Sequence, residues 1–191
     1  MKLEAAALAK VTTAFMPKSF SRIFPMVFKD SPLVTGPGEA RFSSLKGNFN
    51  TLYAASTLAT AIAETIIRDR FETADRLLMM SELEDRAVVE LTATLPLNLA
   101  DLRTDGCFQL GVSTDIAGAK GWEHSRVLAQ YVHDETTLDG FLYRSRLVGM
   151  DCAAIFDRAI APKLVAGKAM PLIAARGLTA AIEQLSVEVI A

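Results

Sequence analysis

The chain has 191 residues, of which 51% are hydrophobic and 22% charged, and its mean hydropathy is +0.27. A chain of this length and composition buries one sizeable core, which excludes intrinsic disorder. The formal net charge of -2 leaves no basic excess for direct binding of nucleic acid or an anionic membrane. The high hydropathy, with only 7% aromatic residues, indicates apolar surface that a partner covers.

The first fifty residues predict a helix followed by a long loop. The Ala-rich N-terminus predicts a helix that ends before Pro17, so we expect an N-terminal helix in residues 1–19 and a single domain in residues 20–191. Residues 16–50 are rich in Pro, Gly and Ser, which favours a loop with short extended pieces. No apolar run approaches the ~20 residues of a membrane-spanning helix, and charges interrupt the N-terminal apolar stretch, so neither membrane insertion nor export is expected.

Residues 51–55 predict a short strand that leads into a helix over residues 57–71, with Ser56 as its N-cap. The apolar residues of this helix share one face, whereas Glu64 and Arg68 lie on the other.

The second half alternates between short strands and helices. The predicted strands are residues 86–91, 95–99, 141–145 and 152–156, and the predicted helices are residues 122–133 and 179–185. Regular βαβ alternation is absent from this order. The pattern therefore predicts an α+β single domain with a small mixed sheet and flanking helices.

The cysteines and histidines show none of the common site spacings. Cys107 and Cys152 have no C-x-x-C spacing and cannot alone build a zinc knuckle or a disulfide framework, and the apolar run around Cys152 predicts a buried thiol. His124 and His133 lack metal-ligand spacing, so no metal site is expected. The Gly-x-Gly-x-x-Gly fingerprint of dinucleotide-binding folds is incomplete, because Arg41 stands at the position of its third Gly. A dinucleotide site of that kind is therefore not expected. This cysteine usage suits the reducing cytoplasm.

Four segments stand out together, in a fixed order along the chain. They are Gly-Glu-Ala-Arg-Phe-Ser at 38–43, Leu-Tyr-Ala-Ala-Ser at 52–56, Ala-Ile-Ala-Glu-Thr at 61–65 and Asp-Gly-Phe-Leu-Tyr-Arg-Ser-Arg at 139–146. Their order and spacing resemble the RES domain family, and Ser-Arg-Ile-Phe would supply the family's early Arg as Arg22. The resemblance spans residues 20–158.

This resemblance implies an ADP-ribosyltransferase-like fold and the toxin of a bacterial toxin–antitoxin pair. Members of the family consume NAD+ as glycohydrolases or phosphorylases, and some ADP-ribosylate a protein. NAD+ is then a substrate, and no bound cofactor is expected. The usual partner is an Xre-type helix-turn-helix antitoxin that blocks the active site. The apolar surface would therefore be covered by an antitoxin or by a second copy of the chain.

The residue types in these segments suit cleavage of the nicotinamide–ribose bond. Glu64 offers a carboxylate for the positive charge that develops on the ribose, or for orienting the nucleophile. Arg22 and Arg41 offer guanidinium groups for the pyrophosphate. Tyr53 offers a flat face for the nicotinamide, and Ser145 a hydroxyl for the ribose or the amide. Glu64, Tyr53 and Arg41 are the expected catalytic residues.

Structural explanations exist for each of these residues. Glu64 and Arg68 are spaced for a solvated ion pair on a helix. Tyr53 fits an ordinary strand core, Ser145 fits a strand end, and the arginines fit a polar loop surface.

A second position could correspond to the loop arginine of the family. If Gly-Asn-Phe-Asn at 47–50 is matched to the family's Gly-Arg-Trp-Asn loop, Asn48 takes the place of Arg41 and phosphate binding is in doubt. Two functional alternatives remain open, namely transfer of ADP-ribose to a cellular protein and a catalytically silent module that binds only its antitoxin. The silent module is motivated by Phe42 and Ser43, which depart from the family loop. The sequence leaves the nucleophile open between water, phosphate and a protein side chain.

Overall fold

The computed structural model describes residues 3–68, 70 and 76–191. The strands are β1 (Thr12–Phe15), β2 (Phe20–Pro25), β3 (Thr51–Ala55), β4 (Leu77–Met79), β5 (Arg86–Ala93), β6 (Leu97–Asp101), β7 (Gly140–Arg144), β8 (Asp151–Phe156), β9 (Leu164–Ala166), β10 (Met170–Pro171) and β11 (Glu188–Ile190). The helices are α1 (Ala5–Val11), α2 (Leu58–Ile62), α3 (Met80–Glu84), α4 (Gly106–Gln109), α5 (Asp115–Gly118), α6 (Glu123–Glu135), α7 (Asp157–Lys163) and α8 (Leu178–Gln184). Within these ranges no helix is both long and apolar enough to cross a membrane.

Most of the described strands form one large mixed sheet. Its order is β1-β6-β7-β8-β3-β2-β5-β10, and β9 also pairs with β5. Strands β6 and β7 run parallel, whereas the other pairs in this sheet are antiparallel. The α+β prediction is confirmed. The sheet is larger than expected, because nine strands are joined within the described residues and a further parallel pair, β4 and β11, lies apart.

The sheet divides the core into two layers. In β3, Leu52 and Ala54 belong to one hydrophobic cluster, whereas Tyr53 and Ala55 pack with the other, as expected for side chains that alternate across a strand. Cys107 and Cys152 are both buried free thiols, which confirms the prediction of a buried Cys152 thiol. Burial raises the pKa of Cys152 far above its usual value, so this thiol stays protonated.

The N-terminal helix is shorter than the sequence predicts. It ends at Val11, and residues 12–15 form β1, an edge strand paired with β6. Two consecutive β-branched residues, Thr12 and Thr13, open the strand, and the Thr12 hydroxyl donates to the carbonyl of Leu8 at the helix end.

The helix after β3 also differs from its prediction. Thr57, rather than Ser56, is its N-cap, and the Thr57 hydroxyl accepts a hydrogen bond from the Thr60 amide at 3.1 Å. The helix continues from α2 as a π-helical turn, Ala63–Ile67, which ends at Arg68. The predicted end of this helix, Phe71, lies outside the described residues.

Candidate active site

Glu64 lies in the π-helical turn, where its carboxylate is held from one side. The Ser145 hydroxyl donates a hydrogen bond of 2.5 Å to Glu64 Oε1. The same hydroxyl oxygen accepts from the amides of Leu147 and Val148, at 3.2 and 3.3 Å. Because both amides donate to this oxygen, its single proton is left for Glu64. The turn after β7 therefore fixes one carboxylate oxygen of Glu64.

The end of the same turn holds Arg68 in a strained backbone conformation. Its φ of 32° lies in a region that non-glycine residues rarely adopt. The Arg68 amide donates to the carbonyl of Ala63, five residues back, at 2.7 Å. The guanidinium lies 4.3 Å from the centre of the Trp122 ring. A π-turn and a strained terminus within a few residues of each other are typical of functional sites.

Glu64 and Arg68 both face a cavity of about 270 Å³. Among the described residues, four arginines and one carboxylate contribute its charged walls, which gives these residues an excess of three positive charges in a chain whose formal net charge is -2. The lining comprises Arg22, Ile23, Phe24, Pro25, Ala40, Arg41, Thr51, Tyr53, Glu64, Thr65, Arg68, Arg86 and Tyr143. Positive charge concentrated in a partly enclosed space is suited to an anionic ligand.

Arg41 is a buried cation, with only 6% of its surface exposed. Its guanidinium donates to the carbonyls of Ile116 and Ala119, at 3.2 and 2.8 Å. Burial lowers the pKa of Arg41, and the neighbouring Glu64 carboxylate acts in the opposite direction. The loop arginine therefore ties the end of α5 to the cavity while it stays close to Glu64.

Arg22 and Arg86 leave hydrogen-bonding capacity unused. Arg22 Nη2 donates to the carbonyl of Val34 at 2.7 Å, but Arg22 Nη1 is buried and has no partner among the described residues. Arg86 Nε is likewise buried without such a partner. Burial lowers the pKa of Arg22 to about 10, which still leaves the side chain charged at neutral pH. A buried donor without a partner is costly to the folded state.

Two tyrosines complete the walls around Glu64. The Tyr53 hydroxyl accepts a hydrogen bond from the Phe42 amide at 3.2 Å, which connects β3 to the arginine loop. Burial raises the pKa of both Tyr53 and Tyr143, so both hydroxyls keep their protons at neutral pH. Both rings offer surface against which a planar group can pack.

The structure separates the two candidates for the loop arginine. Arg41 lines the cavity, whereas Asn48 accepts from Ser44 and Gln130 and donates to Asp134, away from the cavity lining. The Phe42 ring, which departs from the family's Trp, is fully buried and stacks on Phe141 with ring centres 4.5 Å apart. Phe42 therefore packs in the core and does not fill the cavity.

The predicted site residues come together. Arg22, Arg41, Tyr53 and Glu64 all line the cavity, and Ser145 reaches it through its hydrogen bond to Glu64.

Two further lining residues, Arg86 and Tyr143, were not assigned to the site from the sequence. The available signal for Arg86 was a cation at the first position of a predicted buried strand. Among the residues the structure describes, no cluster of three or more His, Cys, Asp or Glu side chains is arranged to hold a metal ion.

Comparisons with known proteins agree with this geometry. In the structure of the toxin–antitoxin complex MbcT–MbcA from M. tuberculosis, one chain superposes with a TM-score of 0.66 over 96% of this chain and 99% of that chain, at 13% identity. A Sinorhizobium fredii protein described as probable toxin y4kH is 38% identical over 116 residues, which cover 58% of this chain and 88% of that protein. The RES domain family model matches residues 22–174. This match spans most of the chain and includes the arginine loop, the Glu64 helix and the Ser145 turn, and the protein therefore belongs to the RES domain family.

Proposed function

We propose that this chain is the toxin of a toxin–antitoxin pair and that it degrades NAD+ by breaking the nicotinamide–ribose bond. The observation that carries the proposal is the Glu64 carboxylate, fixed by Ser145 beside a cavity with an excess of three positive charges. The second oxygen of Glu64 accepts no hydrogen bond from the described residues, so it is available to a ligand.

The proposed chemistry uses that second oxygen. As the bond between ribose C1′ and the pyridinium nitrogen breaks, its electron pair passes to the nitrogen and neutral nicotinamide leaves. Positive charge develops on the ribose ring, and Glu64 stabilises it. An oxygen of water or of inorganic phosphate then forms the new bond to C1′. When water attacks, its proton passes to Glu64 and on to solvent, because a fixed carboxylate is a suitable base.

The other walls position the dinucleotide in this proposal. Arg22 and Arg41 bind the pyrophosphate, since guanidinium groups match phosphate oxygens in charge and geometry. Tyr53 packs against the nicotinamide ring. Nicotinamide is a good leaving group, so positioning and charge stabilisation supply much of the rate.

The relatives support the toxin assignment and suggest the partner. One is described as a probable toxin, and a chain of similar fold is part of a toxin–antitoxin complex. We therefore propose that the protein acts in the cytoplasm, inhibits growth when free, and is blocked by an Xre-type helix-turn-helix antitoxin.

Product analysis of purified protein with NAD+ tests the activity. We expect nicotinamide release, and a comparison with and without inorganic phosphate shows whether phosphate or water is the nucleophile. Labelled NAD+ incubated with a cell lysate tests the alternative of ADP-ribosyl transfer, which would leave label on a protein band. Absence of both NAD+ binding and nicotinamide release would contradict the proposal and favour the silent antitoxin-binding module.

Glu64→Gln tests the catalytic assignment. We expect a loss of about 10²- to 10⁴-fold in nicotinamide release, because the amide keeps the size of the side chain but lacks its negative charge. Glu183→Gln is the matched control, since Glu183 is an exposed residue of α8 that does not line the cavity. Circular dichroism verifies the fold of both variants. Full activity in a folded Glu64→Gln protein would remove Glu64 from the mechanism.

A further inference from the structure

A second, much smaller cavity lies beside Glu64. Its volume is about 20 Å³, against about 270 Å³ for the main cavity described above. Glu64, Tyr53 and Tyr143 line both cavities, so the two spaces meet at these side chains. The small cavity is therefore the space next to Glu64 that a dinucleotide in the main cavity leaves open.

The size and the charge of the small cavity both favour water over phosphate. A water molecule needs roughly 10–15 Å³ of cavity space, so a single water fits, whereas inorganic phosphate with its five heavy atoms does not. Among the lining residues that the structure describes, Glu64 carries the only charge. Its carboxylate accepts a hydrogen bond from water and repels an anion. The four arginines that would attract phosphate line only the main cavity.

Tyr143 offers a second polar contact for a water in this space. It is 4% exposed, and its ring packs edge-on against Phe42 with the ring centres 5.2 Å apart, which fixes its orientation. Burial, and after it the nearby Cys152 and Glu64, raises the pKa of Tyr143, so its hydroxyl stays protonated beside the carboxylate. The Tyr53 hydroxyl, by contrast, already accepts the Phe42 amide. Tyr143 and Glu64 are therefore the two groups best placed to hold one water.

We infer that the small cavity holds the attacking water between Glu64 and Tyr143, and that the protein therefore hydrolyses NAD+ instead of splitting it with phosphate. The inference deepens the proposed function and rests on it. The water donates one hydrogen to the second oxygen of Glu64 and the other to the Tyr143 oxygen. Its lone pair forms the bond to ribose C1′, while the electron pair of the C1′–nitrogen bond leaves with nicotinamide. The water's proton passes to Glu64 and on to solvent, and Tyr143 keeps its own proton.

Product analysis tests the choice of nucleophile. NAD+ is incubated with wild type at increasing concentrations of inorganic phosphate, and ADP-ribose is separated from ADP-ribose 1″-phosphate. We expect ADP-ribose at every phosphate concentration. ADP-ribose 1″-phosphate as the main product would overturn the inference and leave the proposed bond cleavage intact. If no nicotinamide is released, the proposed function itself fails, and the inference falls with it.

Tyr143→Phe tests the contact with the water, because it keeps the ring and removes the hydroxyl. We expect kcat to fall about tenfold with an unchanged KM for NAD+, since one hydrogen bond to the water is lost while the main cavity keeps its cations. Tyr131→Phe is the matched control, because the Tyr131 hydroxyl donates to the carbonyl of Leu3 and Tyr131 lines neither cavity. A wild-type kcat in a folded Tyr143→Phe protein would overturn the role of Tyr143.

Ala61→Val tests the small cavity by filling it. Ala61 of α2 lines the small cavity and not the main one, and two added methyl groups occupy the space of the water. We expect kcat to fall at least tenfold, on the order of one lost reactant contact, with KM for NAD+ unchanged. Ala59→Val is the control, at a position of the same helix that is equally buried and lines neither cavity. Overpacking lowers the stability of both variants, so equal kcat values for the two would contradict a water in the cavity.

A crystal structure of the ligand-free protein tests the cavity without catalysis. We expect an ordered water within hydrogen-bond distance of both Glu64 and Tyr143, and its absence from Ala61→Val. An empty small cavity in wild type would overturn the inference. If Ala61→Val does not fold, the wild-type structure and the kcat of Tyr143→Phe decide between the outcomes.

Discussion

The orientation of Glu64 depends on one hydroxyl group. Ser145 is 2% exposed, and its oxygen accepts two amides of the turn that follows β7 while its proton goes to Glu64. A residue that holds a carboxylate in this way acts through it, so we regard Ser145 as a positioning residue. Its predicted contact with the ribose or the amide of the substrate stays a prediction.

Ser145→Ala tests this positioning role. We expect nicotinamide release to fall about tenfold, because Glu64 loses a hydrogen bond to a charged group, worth roughly 1.5–3 kcal/mol, and can rotate. We also expect a loss of about 1–3 kcal/mol in the free energy of unfolding, since two part-buried amides of the turn lose their acceptor. Urea unfolding measures the second effect.

The control for Ser145→Ala is Ser31→Ala, at an exposed position outside the cavity lining. If Ser145→Ala loses stability but retains full activity, Ser145 contributes to the stability of the fold and not to catalysis.

At the scale of elements, α6 holds the loop that carries Arg41. The Gln130 side-chain oxygen accepts from the Ser44 hydroxyl and from the amides of Leu45 and Lys46, at 2.9, 2.9 and 3.1 Å. Arg126 and Asp134 of the same helix also bond to the loop, at the Ser44 carbonyl and the Asn48 side chain, so Gln130 is the centre of a wider attachment. The arginine loop can therefore be rigid in the absence of ligand.

Gln130→Ala tests the attachment of this loop. We expect the free energy of unfolding to fall by about 1–3 kcal/mol, because the buried Ser44 hydroxyl and the part-buried amides of Leu45 and Lys46 lose an acceptor. We also expect a higher KM for NAD+, since Arg41 is then less well placed. Gln184→Ala is the control, at an exposed position of α8. A KM for NAD+ that equals the wild-type value would show that the loop is fixed by other contacts.

Local patterns in the sequence predict several elements, and the resemblance to the RES family selects the candidate site residues, but neither predicts how the elements meet. The strands over residues 51–55, 141–145 and 152–156 are close to the observed β3, β7 and β8, because each is a short apolar run between turn residues. The placement of β3 between β2 and β8 depends on pairing across about 100 residues, which no local pattern encodes.

The sequence also could not predict the finer geometry of the site. The π-helical turn at Glu64 differs from an α-helix by hydrogen bonds that reach back five residues instead of four, and its apolar periodicity looks helical in either case. The position of Arg86 on the cavity wall depends on the β2–β5 pairing, which no local pattern encodes.

The whole molecule separates its charges. The chain carries a formal net charge of -2, while the described residues of the cavity wall carry an excess of three positive charges. Apolar surface is also exposed beside the cavity, where Val27 and Phe28 are 82% and 46% exposed and follow the lining residue Pro25. The expectation that an antitoxin or a second copy covers apolar surface stays a prediction, and these two residues give it a location next to the site.

The separation of charge predicts that anion binding depends on salt. Raising the ionic strength from 0.1 to 1 M shortens the screening length from about 10 Å to about 3 Å, so the field of the cavity reaches less far into solvent. We expect the affinity for ADP-ribose to fall several-fold over this range, as measured by calorimetry, whereas the binding of uncharged nicotinamide changes little. Removing one cation reduces the field, so Arg86→Met binds ADP-ribose more weakly and with a shallower salt dependence. Equal salt dependence for the charged and the uncharged ligand would show that the cavity arginines are neutralised within the free protein.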